Sequence, residues 1–387
     1  MQNSKALRYA KRLIRFESTS EQSNRYVAKY LEIKLKKHGF VVEKLMYRDA
    51  RKVRKINLIA KKGMGTGGMA YFGHTDVVPA PTWFTRKATP FEPVVAGDRL
   101  YGRGACDMKG SLACMLEAAQ SVNFETMNKP LYLVFTADEE VGFGGAKQVV
   151  EESKLYREIV QGGSVAVIGE PTMLDVVHAH KGSYLMRFRT TGKAAHSGTR
   201  EGKNANWQMI PFLNDLWRIR EETETIVDWF DENFSPPTVS MNLIMSDSNQ
   251  AVNVTSARCT AQLYLRPMPQ VDCVPLVQMI LQAAKKHEVQ VDFKRNCEPM
   301  WSDPDSDLVK QALTLMGASE VKTAGYATDA GVLSEIEQKI IFGPGSIAQA
   351  HTNQEFISFD QMQKAVQAYT QLILHYCGGE PIKPISV

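Results

Sequence analysis

Met69-Ala-Tyr-Phe-Gly-His74-Thr-Asp76 and Leu131-Tyr-Leu-Val-Phe-Thr-Ala-Asp138-Glu139-Glu140 share one pattern: an apolar, strand-like run that ends in an imidazole or in acids. The run at 165–168 repeats it and leads into Gly169-Glu170-Pro171. The run at 340–342 leads through Gly343-Pro-Gly345 to His351. Carboxylates at strand exits make a poor core, but they gather divalent metal well at the carboxyl edge of a sheet. Further strand-like runs fall at 41–46 and 56–60. Helical spacing links Leu7, Ala10, Leu13 and Ile14. It recurs in Tyr26, Val27, Tyr30, Leu31 and Leu35, after a Ser18-Thr-Ser20 cap signal and before Gly39. Leu112, Met115, Leu116 and Ala119 give 111–121 one apolar face. Strands alternating with helices predict an α/β catalytic domain around a central mixed sheet.

The texture changes near Lys181. The spacing predicts strand 183–191, helix 204–222, strands 238–245 and 257–265, helix 274–287 and strand 289–294. This β-α-β-β-α-β order fits an inserted ferredoxin-like α+β domain. The chain then returns to α/β texture and closes with a helix at 360–376. The expected division is a catalytic domain at 1–181 and 296–387, interrupted at 182–295.

A chain of 387 residues exceeds what one compact core usually holds. The charge balance is 46 basic against 42 acidic, and the densest basic stretch, 48–62, is broken by apolar residues. It reads as a solvated strand and turn, so no nucleic-acid partner is expected. No apolar run is long enough to span a membrane. The opening Met1-Gln-Asn-Ser-Lys shows no apolar signal region, and the six cysteines have no CxxC spacing. Free thiols in a reducing cytoplasm are expected.

Water attacking an amide needs a lowered pKa and an electrophile, and two divalent ions about 3.5–4 Å apart supply both. His74 is a ligand candidate, with Asp76 placed to meet its other ring nitrogen. Asp107 lies in the Gly-rich loop Tyr101-Gly-Arg-Gly-Ala-Cys-Asp107-Met-Lys-Gly110; a plain N-cap is the alternative. Glu139 and Glu140 are neighbours whose side chains diverge, so that one ligates and the other faces the water. An isolated Glu-Glu pair is more often a solvated turn. With Glu170 and His351, the positions argue together for a site more strongly than any does alone.

Those motifs, spread over nearly the whole chain, resemble the dinuclear zinc amidohydrolases and peptidases. That family includes acetylornithine deacetylase, succinyl-diaminopimelate desuccinylase, aminoacylase and glutamate carboxypeptidases. The resemblance implies two Zn²⁺ per subunit, with Co²⁺ or Mn²⁺ as substitutes. In it Asp107 bridges, His74 and Glu170 hold the first metal, and Glu140 and His351 hold the second. Asp76 supports His74, and Glu139 is the general base and acid. The insert resembles the family's dimerisation or lid domain, which implies a homodimer. In Gly192-Lys-Ala-Ala-His196-Ser-Gly198, His196 would polarise the scissile carbonyl in the partner's site. Asn253 and Arg266 would hold substrate carboxylate, and Gly343 and Gly345 would line the substrate. Arg suits this because its guanidinium grips a carboxylate through two parallel bonds. Ala179-His-Lys-Gly182, Tyr326-Ala-Thr-Asp329-Ala and the segment 342–355 lean toward hydrolysis of N2-acetyl-L-ornithine to L-ornithine and acetate, a step of arginine biosynthesis. Other N-acyl amino acids, succinyl-diaminopimelate, dipeptides and a non-catalytic binding relative stay open. Cys106 departs from the family's usual small unreactive residue, and a buried inert thiol is its expected state.

Overall fold

The structure, a computed structural model, describes residues 4–84, 89–247, 249 and 251–385. Met1-Gln-Asn, part of the N-terminal reading, lies outside them. Two compact units emerge. One comprises Met1–Ala179, Trp301–Lys322 and Thr328–Val387; the other comprises His180–Met300 and Thr323–Ala327. The return of 323–327 to the second unit has no counterpart in the expected boundaries.

The first unit is built on a mixed sheet. In spatial order seven of its nine strands are Val41–Arg48, Arg54–Lys62, Leu131–Thr136, Met69–His74, Val165–Ile168, Lys339–Ile341 and Val177–His180. The run from Leu131–Thr136 through Lys339–Ile341 is parallel, and the strands flanking it pair antiparallel. Every residue of Met69–His74, Leu131–Thr136 and Val165–Ile168 is buried, as expected of parallel strands covered on both faces. Helices Lys5–Ile14, Lys109–Ser121 and Phe359–Ile373 pack together in the same core. Because four neighbouring strands run the same way, their carboxyl ends open on one edge. His74, the Asp138–Glu140 turn, Glu170 and the 342–351 loop all leave from that edge.

Helix Arg25–Lys37 starts at Asn24, with no side-chain cap. The serines expected to cap it do other work: Ser18 Oγ donates to the Thr75 carbonyl at 2.6 Å, and Ser20 Oγ to Asp76 Oδ2 at 2.7 Å. The basic stretch is likewise not wholly solvated. Lys55 is buried, with its ammonium 2.6 Å from Asp138 Oδ1.

The second unit has four antiparallel strands in the order Ser240–Ser246, Arg258–Arg266, Ser183–Thr191, Gln290–Cys297. Helices Ala205–Thr223 and Val274–Lys286 pack against each other and on this sheet. Numbered along the chain, the strand order is 2-3-1-4, that of a ferredoxin-like unit. Among the described residues, no helix is long and apolar enough to cross a membrane.

Candidate metal centre

His74 closes its strand almost fully buried. Its Nδ1 lies 2.9 Å from the peptide oxygen of Asp76, which can only accept, so Nδ1 carries the proton and Nε2 is free to ligate. The tautomer is thus set by the Asp76 carbonyl, and the Asp76 carboxylate stands 3.7 Å from the ring. That carboxylate instead accepts from Ser20 and from the backbone N–H groups of Glu139 and Glu140 at 3.3 and 3.4 Å. It holds the glutamate pair rather than the imidazole.

Around His74 Nε2 stand Asp107 Oδ1 at 2.9 Å and Glu170 Oε1 at 3.6 Å. The other oxygen of Asp107, Oδ2, is 3.3 Å from His351 Nε2, which is 3.1 Å from Glu140 Oε2. Two triads result: His74, Asp107 and Glu170, and Asp107, Glu140 and His351. Within each, the ligand atoms lie within 4.8 Å of one another. Asp107 turns one oxygen to each triad, as a bridging ligand must. It does not cap helix Lys109–Ser121, whose N-cap position is Met108.

The donor chemistry fits a pair of divalent ions. Two imidazoles and three carboxylates suit a zinc-like cation. A cation there would also relieve the repulsion among these neighbouring carboxylates. Burial pushes Glu170 well above the usual carboxylate range, and Glu140 up, with the Asp107 charge adding to both. Burial works against Asp107 as well, yet hydrogen bonds from His351 and His74 hold it below that range. Bonds to Asp107 and Glu140 push His351 up to about 10. Burial opposes protonation of His74, but the charges of Glu170 and Asp107 carry it well above its ordinary value.

Glu139 belongs to neither triad. It is buried, and burial first, then the charges of Glu170 and Glu140, push its carboxyl well above the ordinary range. A carboxylate that lies outside both triads and holds a proton readily is suited to acid–base work. Its turn is anchored by Asp138, which has φ +58°, is gripped by Lys55, and accepts from Tyr47 Oη at 2.7 Å. Neither Lys55 nor Tyr47 stood out in the sequence.

The two glycines of the late loop press on ligand-bearing backbone. A Cβ on Gly343 would come within 2.4 Å of the Gly169 carbonyl and 2.6 Å of the Glu170 carbonyl. Gly345, at φ +91°, would bring one within 2.6 Å of Cys106 Sγ. Cys106 is fully buried, donates to the Ser346 carbonyl at 3.2 Å, and is pushed up by burial, so its thiol is packing rather than chemistry. Asp329 and Glu355, quoted in motifs without a role, are buried acids of this unit. Asp329 accepts from Thr136 Oγ1 at 2.7 Å.

The chain matches the family described as "Peptidase family M20/M25/M40" over residues 70–375. It belongs to peptidase family M20/M25/M40. As a member it is a metal-dependent amidohydrolase. An acetylornithine deacetylase of Myxococcus xanthus is 31% identical over 380 residues, covering 95% of this chain and 96% of that protein. One of Edwardsiella ictaluri is 32% identical over 365 residues, covering 92% of each. A solved M20 metallo-carboxypeptidase of Sulfolobus solfataricus superposes with a TM-score of 0.77 at 16% identity, covering 96% and 99% of the two chains. At that identity the solved structure speaks for the M20 fold alone.

The remaining predicted site residues lie in the second unit. His196 is exposed, and its Nδ1 accepts from the Gly198 N–H at 3.1 Å, which leaves the proton of a neutral ring on Nε2. Asn253 is exposed, and its carbonyl accepts from Ser197 N–H at 2.8 Å. Arg266 is half-buried, with its guanidinium 4.6 Å from the centre of the Tyr264 ring. On the same unit Trp207, Ile210 and Trp217 of one helix are exposed, as are Leu243, Ile244 and Met245 of edge strand Ser240–Ser246.

Proposed function

We propose that this enzyme removes the acyl group from an N-acyl amino acid, with N2-acetyl-L-ornithine as substrate and L-ornithine and acetate as products, in the arginine pathway of the cytoplasm. The observation that carries the reading is the shared Asp107, which turns one oxygen to each of two triads beside a carboxylate that neither triad uses. The names of the Myxococcus and Edwardsiella relatives support the choice of substrate.

His74, Asp107 and Glu170 would hold one zinc ion, and Asp107, Glu140 and His351 the other, with cobalt or manganese as substitutes. When bound, the ions polarise the amide oxygen and lower the pKa of the attacking water. Glu139 takes the proton of that water and returns it to the departing nitrogen; its place outside both triads leaves its carboxylate free for both halves of the task. Asp76 keeps Glu139 in place through the backbone. His196, with Nε2 as donor, stabilises the oxyanion, and Arg266 and Asn253 receive the substrate carboxylate. The exposed apolar helix face and edge strand of the second unit support a homodimer in which His196 serves the partner's site.

The test is a substrate panel on zinc-reconstituted protein: N2-acetylornithine, succinyl-diaminopimelate, N-acetylmethionine and dipeptides, followed by amine release. Acetylornithine should give the highest kcat/KM. A higher value for any other substrate overturns the assignment while leaving the metal chemistry intact.

A further inference from the structure

Glu355 is completely buried, and a buried carboxylate persists only where donors surround it. Its Oε1 accepts from the backbone N–H of Cys106 at 2.8 Å and of Asp107 at 3.0 Å. Its Oε2 accepts from the Gly104 N–H at 3.0 Å and from Arg103 Nη1 at 2.6 Å. Its own carbonyl accepts from Gly102 N–H at 3.1 Å. One side chain therefore gathers the loop that ends in Asp107. Arg103 reaches on, with Nη2 3.5 Å from the His351 carbonyl, and His351 lies four residues before Glu355 on the same loop.

The five residues of the two triads are not held alike. His74 ends a central strand, and Glu170 follows one almost directly. Glu140 follows a third strand, with its backbone bound to Asp76. His351 has no strand: it sits in a turn at φ +63° with its side chain 52% exposed. Two ligands of the second triad, Asp107 and His351, thus depend on the Glu355–Arg103 pair, against Asp107 alone in the first triad.

We propose that Glu355 is a positioning residue that builds the second metal position, selectively over the first, by fixing Asp107 and the His351 loop relative to each other. This rests on the reading that the two triads each hold an ion. A purely structural role for the ion pair would lower stability without distinguishing the two positions.

The test is titration of ion-free protein with Zn²⁺ against a chromophoric chelator, repeated with Co²⁺ and followed through its visible d–d bands. Wild type should take up two ions. His351→Ala, which spares the first triad, marks the first binding step. Glu355→Gln keeps the size and removes the charge. It should retain the first step at wild-type affinity and weaken the second by about 10–100-fold, the usual loss when a partner behind a ligand is removed. Its Co²⁺ spectrum at one equivalent should match wild type. Arg103→Lys, which keeps a charge but not the fork, should weaken the same step by less, and it carries the comparison alone if Glu355→Gln does not fold. Both steps unchanged, or both weakened equally, would overturn the proposal while two-ion uptake by wild type kept the metal reading. Uptake of fewer than two ions by wild type would overturn both.

Discussion

The candidate metal centre of the first unit and the His196 region of the second solve placement differently. His74, Glu140 and Glu170 lie at or just past the ends of buried parallel strands, and the Glu140 N–H is tied to Asp76, 64 residues away. His196 and Asn253 are exposed and lie outside the strands and helices, His196 bonded within its own turn to Gly198 and Thr199, and Asn253 joined to that turn by the Ser197 N–H. Groups on rigid strand ends keep their geometry to fractions of an ångström, whereas loops tolerate change. The residues proposed to break the bond are therefore placed mainly by the sheet, and those proposed to handle substrate lie where sequence can vary at little cost in stability.

The largest expected effect falls on the fixed side. Glu139→Ala should lower kcat by about 10²–10⁴-fold with both ions retained, because only proton transfer is lost. Turnover close to wild type in a metal-loaded, folded variant would move the base elsewhere. On the adaptable side, His196→Ala should cost about 10²–10³-fold in kcat, as for a lost oxyanion donor, with no change in melting temperature because the side chain is exposed. Mixing it with Glu139→Ala should restore activity through heterodimers. No recovery after proven subunit exchange would break the assignment in trans.

A smaller effect probes the backbone beneath the centre. Gly343→Ala forces a methyl against the carbonyls of Gly169 and Glu170, and should destabilise by roughly 1–3 kcal/mol through overpacking. It should also weaken the first ion, which calorimetric zinc titration would read. An unchanged melting temperature would show that the loop yields without disturbing Glu170.

The smallest effect is a slope with pH. In ion-free protein His351 is raised to about 10, and His74, Glu139 and Glu170 are raised as well. Their unfolded values are about 6.5 for His and about 4.3 for Glu. The folded state thus keeps protons that the unfolded chain has released. This stabilisation is complete below the unfolded values and is lost as pH rises toward about 10. Asp107 runs the other way: its lowered value stabilises above the ordinary carboxylate range and is lost in acid. Ions replace the missing protons, so the gap in melting temperature between zinc-loaded and chelated protein should widen from pH 6 to pH 9. A constant or narrowing gap would contradict the charge balance of the cluster.

The residues that cluster in the two triads were legible because each announces itself locally, after an apolar run or inside a Gly-rich loop. The supports were not, because they come from far along the chain. Ser20 lies 56 residues from Asp76, and Glu355 lies 248 from Asp107. Ser18-Thr-Ser20 looked like a helix cap since local spacing carries no trace of the strand end beside it. Lys55 sat in a basic stretch, and nothing in that stretch distinguishes the one ammonium that meets Asp138. Strands Val94–Ala96, Arg99–Tyr101 and Phe356–Ser358 escaped because three residues are too few to show a period.

The six cysteines have a practical consequence. All are buried, and burial pushes the thiols of Cys106, Cys114, Cys259, Cys273 and Cys377 away from the reactive thiolate. The native surface thus offers no competing nucleophilic sulfur to a maleimide dye. A cysteine introduced at an exposed position of each unit, such as Val252 and Tyr26, could be labelled against a silent background. Fluorescence transfer between the two dyes would then report whether the distance between the units changes during turnover.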